Sequence, residues 1–172
     1  MKDPELLYGP NISIVDVFMN EKKSHNALAV VRGMERFIDD NFRTLAEITA
    51  DVPDDATLFV SIESVAMFFG DVFNLIFGRA MLKMDFSVQG EKLVLYMTPE
   101  PALECPAKEL SRLIRFARDV GFDLVKYDDK IALTIDCYKK TSGRVYVPLV
   151  KDETKRFAEI FENAFYKHRL KI

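Results

Sequence analysis

Two short runs of residues carry side chains whose type and spacing could do chemistry. The first is Lys23-Ser24-His25-Asn26. An imidazole nitrogen can attack an electrophile such as a phosphoryl group when its partner nitrogen is held by a carboxylate or carbonyl. A pKa near neutrality leaves enough of it unprotonated to do so. The plainer reading of His25 is a histidine at the surface. The second run is Gly70, Asp71, Asn74 and Gly78, which i, i+4 spacing sets along one side of a helix. A line of small and polar residues lets another body approach closely. That body is either a packed neighbour, the commoner cause, or a nucleotide whose metal or phosphates meet Asp71 and Asn74.

Other reactive side chains have weaker claims. Glu63, Asp71 and Glu100 lack a second group spaced to pair with them as acid and base. Ser61 and Ser64 have no recognisable histidine partner. Cys105, before Pro106, and Cys137, inside a strand-like run, have neither metal-type nor reactive-motif spacing. His168 lies among Lys167, Arg169 and Lys171 at a helix end, where the helix macrodipole accounts for the bases.

The elements that must position these residues follow from hydrophobic period. Ile62, Val65, Ala66, Phe69, Val72, Phe73 and Ile76 repeat at helical spacing, with Ser61 as N-cap, so the Gly70–Asn74 line rides on a helix too apolar for a surface. An earlier helix runs from Ser24 to about Asn41 and contains Gly33. Strands are expected at Ile12–Phe18, around Leu45–Val52 and at Thr57–Val60. A hairpin turns at Gln89-Gly90-Glu91-Lys92. The proline-rich stretch from Thr98 to Pro106 separates it from a helix with the stripe Leu110, Leu113, Ile114 and Ala117, ended by Gly121. A second hairpin alternates cleanly through Ile131, Leu133, Ile135 and Cys137. Residues 144–150 suggest an edge strand, and Asp152 caps a last helix bearing Phe157, Ile160, Phe161 and Phe165.

Order and totals together describe one α+β domain over residues 1–172. It is a two-layer α/β sandwich with a mixed, mostly antiparallel sheet covered on one face by about three helices, plus a C-terminal strand and helix. At 172 residues and 49% hydrophobic content the chain can bury a sizeable core. A net charge of -3 offers no general attraction for nucleic acid or anionic lipid, so neither is an expected partner. No apolar run reaches the ~20 residues of a membrane span. Two cysteines without metal-type spacing and no recognisable secretory signal point to a reduced, cytoplasmic setting, with a Cys105–Cys137 disulfide as the less expected alternative.

The element order, the run VFNLIFGRA and the later RFARDVGFDLVKYDDKIALTIDCY resemble the histidine-kinase-type ATPase superfamily, also called GHKL, over residues 12–138. The resemblance implies an ATP site between the N-box helix, a D-x-G-x-G loop and a glycine-rich lid. Asn74-Leu75 matches the start of the N-box. Gly78 falls where the family's metal-binding asparagine belongs, and Thr98-Pro99-Glu100-Pro101-Ala102 stands in place of the adenine-reading loop. Glycine offers no side-chain ligand, and prolines remove the backbone donors that cradle phosphate.

The expected function is therefore a catalytically silent, kinase-like regulatory domain in signalling. It would need no cofactor and would bind another protein or itself, as a homodimer, with residues 144–172 as an extension. Two alternatives stand beside it. One is residual ATP or ADP binding at Asn74, Asp71 and Gly78, with Asn74 and Asp71 meeting a metal or phosphate. The other is a histidine phosphotransferase in which His25 accepts the phosphoryl group, since Ser24-His25 resembles a phosphoacceptor box.

Overall fold

Strand β1 (Lys23–Asn26) ends where Asn26 bends its side chain onto the chain ahead. Its Oδ1 accepts a hydrogen bond from Ala29 N at 3.0 Å and caps helix α1 (Ala27–Phe42), satisfying one of the donors that every helix start leaves open. The computed structural model describes residues 22–77, 79–102, 106–139 and 146–169, and the side chains of all these except 151 and 167–169. The helix therefore begins three residues after Ser24, because Asn26 is the better cap. The strand expected at Ile12–Phe18 lies outside the described residues.

After α1 come β2 (Ala46–Asp51), β3 (Ala56–Val60), α2 (Ile62–Ile76), β4 (Met81–Gln89) and β5 (Lys92–Glu100). Then follow α3 (Ala107–Asp119), β6 (Asp123–Lys126), β7 (Ile131–Lys139) and α4 (Lys151–Arg169). Ser61 caps α2 as its sequence suggests, its Oγ accepting from Ser64 N at 3.3 Å. The strands form one sheet in the order β1-β3-β7-β5-β4-β2, with β6 also paired to β7. Among the described strands, only β2 and β4 pair in parallel. β2 and β3, adjacent in sequence, are thus set apart by three strands. β7 pairs β5 along one edge and shares the other between β6 and β3.

Turn chemistry sets the register. Gln89 faces Lys92 across the first hairpin, and Gly90 sits at φ 62, a conformation that glycine adopts without steric cost. Gly121, at φ 87, stops α3, and Phe122 N returns to Ala117 O at 2.7 Å. Three expectations are corrected. β5 runs on through Thr98, Pro99 and Glu100, with Pro99 opposite Leu82, so the proline-rich stretch begins as strand. Residues 146–150 form no strand: Pro148 has no N–H, and Val147 N donates to the Thr57 side chain at 3.3 Å instead of to a ladder. Asp152 lies in the first turn of α4 and is not its cap.

The core is a single cluster between the sheet and the helices. α4 packs on α1 and α2. Its buried residues Phe157, Ala158, Phe161 and Phe165 repeat at helical spacing. Phe165 meets the rings of Phe37, Phe42 and Phe77 at 4.8–6.4 Å, and Phe161 meets Phe69 at 6.3 Å. Fully burying each such ring contributes about 1.5–3 kcal/mol. Of the phenylalanines described, only Phe59 is exposed.

Candidate functional site

On α2, the line of small and polar residues faces α4. A Cβ added at Gly70 would lie 3.5 Å from Ala164 O, so the body that approaches this helix is the C-terminal helix. Asn74 turns its amide back along its own helix, Nδ2 donating to Gly70 O at 2.9 Å. Such back-bonding spends a donor that a phosphate would otherwise use. Asp71 is half-buried beside it. Gly78 lies outside the described residues.

Between α2 and α3 the space is aromatic. Phe68 is fully buried and makes edge contacts with Phe69, Phe116 and Phe122 at 5.4, 5.9 and 6.0 Å. Met97, on the adjoining strand, is also fully buried. Thr98-Pro99-Glu100 is held in the β5 ladder, so it cannot turn its backbone toward a ligand as a phosphate loop does. Pro99 and Pro101 have no N–H to give. No group of three or more His, Cys, Asp or Glu among the described residues could hold a metal ion. Among the described residues, the donors on this surface do not match a magnesium nucleotide.

His25 is placed differently from either reading of the sequence. It lies on β1, paired with Leu58 of β3, and is only 8% exposed, not a surface side chain. Its ring stands edge-on to Phe157 at 5.5 Å. Burial, then the neighbouring Arg156 guanidinium, holds its pKa below the ordinary 6.5, against a smaller opposing pull from Glu153 and Glu63. A neutral imidazole inside the fold is the result. The same location holds Asn26, whose Nδ2 donates to Asp54 O at 2.8 Å and Val147 O at 3.0 Å, tying β1 to two distant segments. Nothing in the sequence pattern near His25 marks it as buried, because Phe157, which covers its ring, is remote in the chain.

Cys137 is a buried free thiol, its pKa pushed up to about 11 chiefly by burial, and is therefore a poor nucleophile. Cys105 lies outside the described residues, as do the side chains of Lys167, His168 and Arg169.

Sequence comparison is silent: no family model and no curated protein matches the chain. Structural comparison is not. Acinetobacter baumannii histidine kinase AdeS superposes with a TM-score of 0.52 at 9% identity, over 67% of this chain and 66% of that one. The nucleotide-free catalytic domain of histidine kinase ThkA gives 0.50 at 12% identity, over 67% of this chain and 96% of that domain. This chain has the histidine-kinase-type ATPase fold. ThkA in complex with the response regulator protein TrrA gives 0.51 at 10% identity, over 72% of this chain but 43% of that one. Identities this low carry the GHKL-type fold and nothing finer, and the chain spans only part of the longer kinases. No helix among the described residues is long and apolar enough to cross a membrane.

Proposed function

We propose that this chain is a catalytically silent histidine-kinase-like domain that works in the cytoplasm as a regulatory protein-binding module. The observation that carries the reading is the state of the nucleotide surface. The position of the metal-binding asparagine is a glycine, Asn74 is bonded to its own helix, and the adenine-reading segment is a proline-bearing strand end. Kinase chemistry depends on a metal ion bridging the phosphates and on donors pre-set around them, and each is missing a residue here. A fold that keeps its core while losing these groups retains its surfaces, and those serve a protein partner. The ThkA kinase seen in complex with a response regulator shows that this fold occurs in protein assemblies, and it supports a signalling partner.

Calorimetric titration of the chain with Mg-ATP and Mg-ADP tests the proposal. The expected result is no saturable heat in the micromolar range. Saturable micromolar binding would instead favour a residual nucleotide-binding domain.

A further inference from the structure

A cavity of about 270 Å³ opens between the start of α1 and the first turns of α4, and the nucleotide surface has no part in it. Its walls are both greasy and charged. Ala29, Val147, Pro148 and Phe157 supply apolar surface. Lys23 and Arg156 supply two positive charges against one negative charge from Glu153. His25 also faces it, more than nine-tenths buried and with no side-chain hydrogen bond among the described residues. An imidazole that lines a cavity and makes no hydrogen bond to the described residues keeps its ring nitrogens available to a ligand.

We propose that this cavity binds a small organic carboxylate, with Arg156 and Lys23 as its charge partners and His25 as a hydrogen-bond donor. The charge count fixes the sign. With His25 neutral, the lining carries one excess positive charge, which matches a monoanion. Arg156 has capacity to serve: Glu153 lies 3.5 Å from its Nε, leaving both terminal amino groups of the guanidinium, and its central carbon sits 5.2 Å from the Phe157 ring centroid, so the group lies against that ring. Size and walls fix the class. A bare inorganic anion leaves most of 270 Å³ and all the apolar surface unused, whereas an organic acid places its body against Val147, Pro148 and Phe157. The N-terminus of α1 adds a favourable field at the same end.

Proton linkage follows from the neighbours. His25 is faced by Glu153 and Arg156 from α4, Glu63 from α2 and Lys23 from its own strand. A bound carboxylate adds negative charge beside the ring and favours its protonated form. Affinity therefore rises as pH falls through the pKa that His25 has with the carboxylate bound.

The chain has two histidines, so its imidazole Hε1 protons give two NMR signals, and His168→Gln identifies which belongs to His25. The full chain is titrated with sodium benzoate, neutral benzamide and inorganic phosphate, above and below pH 6.5. Expected are a saturable benzoate shift at His25, tighter at the lower pH, no saturable benzamide shift, and phosphate weaker than benzoate. Arg156→Met, with folding confirmed by circular dichroism, weakens benzoate about tenfold or more, a loss of at least ~1.4 kcal/mol. Should that variant not fold, Lys23→Met weakens binding and Glu153→Gln tightens it. The proposal is overturned by no saturable benzoate shift, by equal response to benzamide, by phosphate binding more tightly, by tighter binding at the higher pH, or by indifference to these charge changes. None of these outcomes depends on whether the chain binds nucleotide.

Discussion

Gly33 and Gly70 both face α4, and a methyl group added to each meets different surroundings. At Gly33 a Cβ would lie 2.5 Å from Phe157 Cβ and 3.1 Å from Ala158 N, so a helix must move. At Gly70 the nearest atom is at 3.5 Å, an ordinary contact. Alanine gains roughly 1 kcal/mol over glycine inside a helix. Gly70→Ala is accordingly expected to be neutral or stabilising by up to about 1 kcal/mol. Gly33→Ala is expected to destabilise by about 1–3 kcal/mol, overpacking outweighing propensity. Urea unfolding of the two variants checks the contrast, and equal effects would contradict the packing described. His25 gives a second prediction. Because its folded pKa lies below 6.5, the unfolded chain binds more protons in the window between the two values, and stability rises with pH there. The contribution is complete above 6.5 and is lost as pH falls through the window. The unfolding free energy of wild type should drop more steeply below pH 6.5 than that of His25→Gln, and parallel profiles would contradict a desolvated ring. The sequence exposed the small line at Gly70 and Asn74 but not its occupant, because Phe157 and Ala164 are remote in the chain. His25 read as a surface residue for the same reason.

At the scale of elements, α4 packs against both α1 and α2. It closes the groove between α1 and α2 with Phe157, Phe161 and Phe165, and Tyr166 donates its hydroxyl to Asn41 Oδ1 at 3.0 Å at the far end of α1. Phe165→Ala removes a ring shared by Phe37, Phe42 and Phe77 and should cost about 3–5 kcal/mol in denaturant unfolding. Tyr166→Phe loses one exposed hydrogen bond and should cost less than ~1 kcal/mol. Comparable losses would mean that the clasp, and not the aromatic seam, holds the helix. Strong local signals were legible beforehand: the Ser61 cap, the Gly90 turn, the Gly121 stop and the alternation through Ile131–Cys137. Pairing was less so. That β2 lies beside β4 and away from β3 depends on a crossover through α2, which no local pattern encodes. The extension of β5 through Pro99 was hidden because proline reads as a breaker, yet a strand tolerates it where the missing N–H is not needed.

For the molecule as a whole, a histidine-kinase-type fold at 9–12% identity to AdeS and ThkA shows how far side chains can diverge while hydrophobic pattern and turn chemistry preserve a topology. The fold was legible because it rests on that pattern. Function was less legible, since the proposed reading turns on single residues, Asn74, Gly78 and Pro99. The account stands on the claim that this surface no longer accepts a magnesium nucleotide. The side-chain amide of Asn74, bonded to Gly70 O, reports on it directly through its nitrogen-proton NMR signal. Adding Mg-ADP through the millimolar range should leave that signal where it is. A saturable shift at Asn74, spreading along α2 toward Asp71, would contradict the claim.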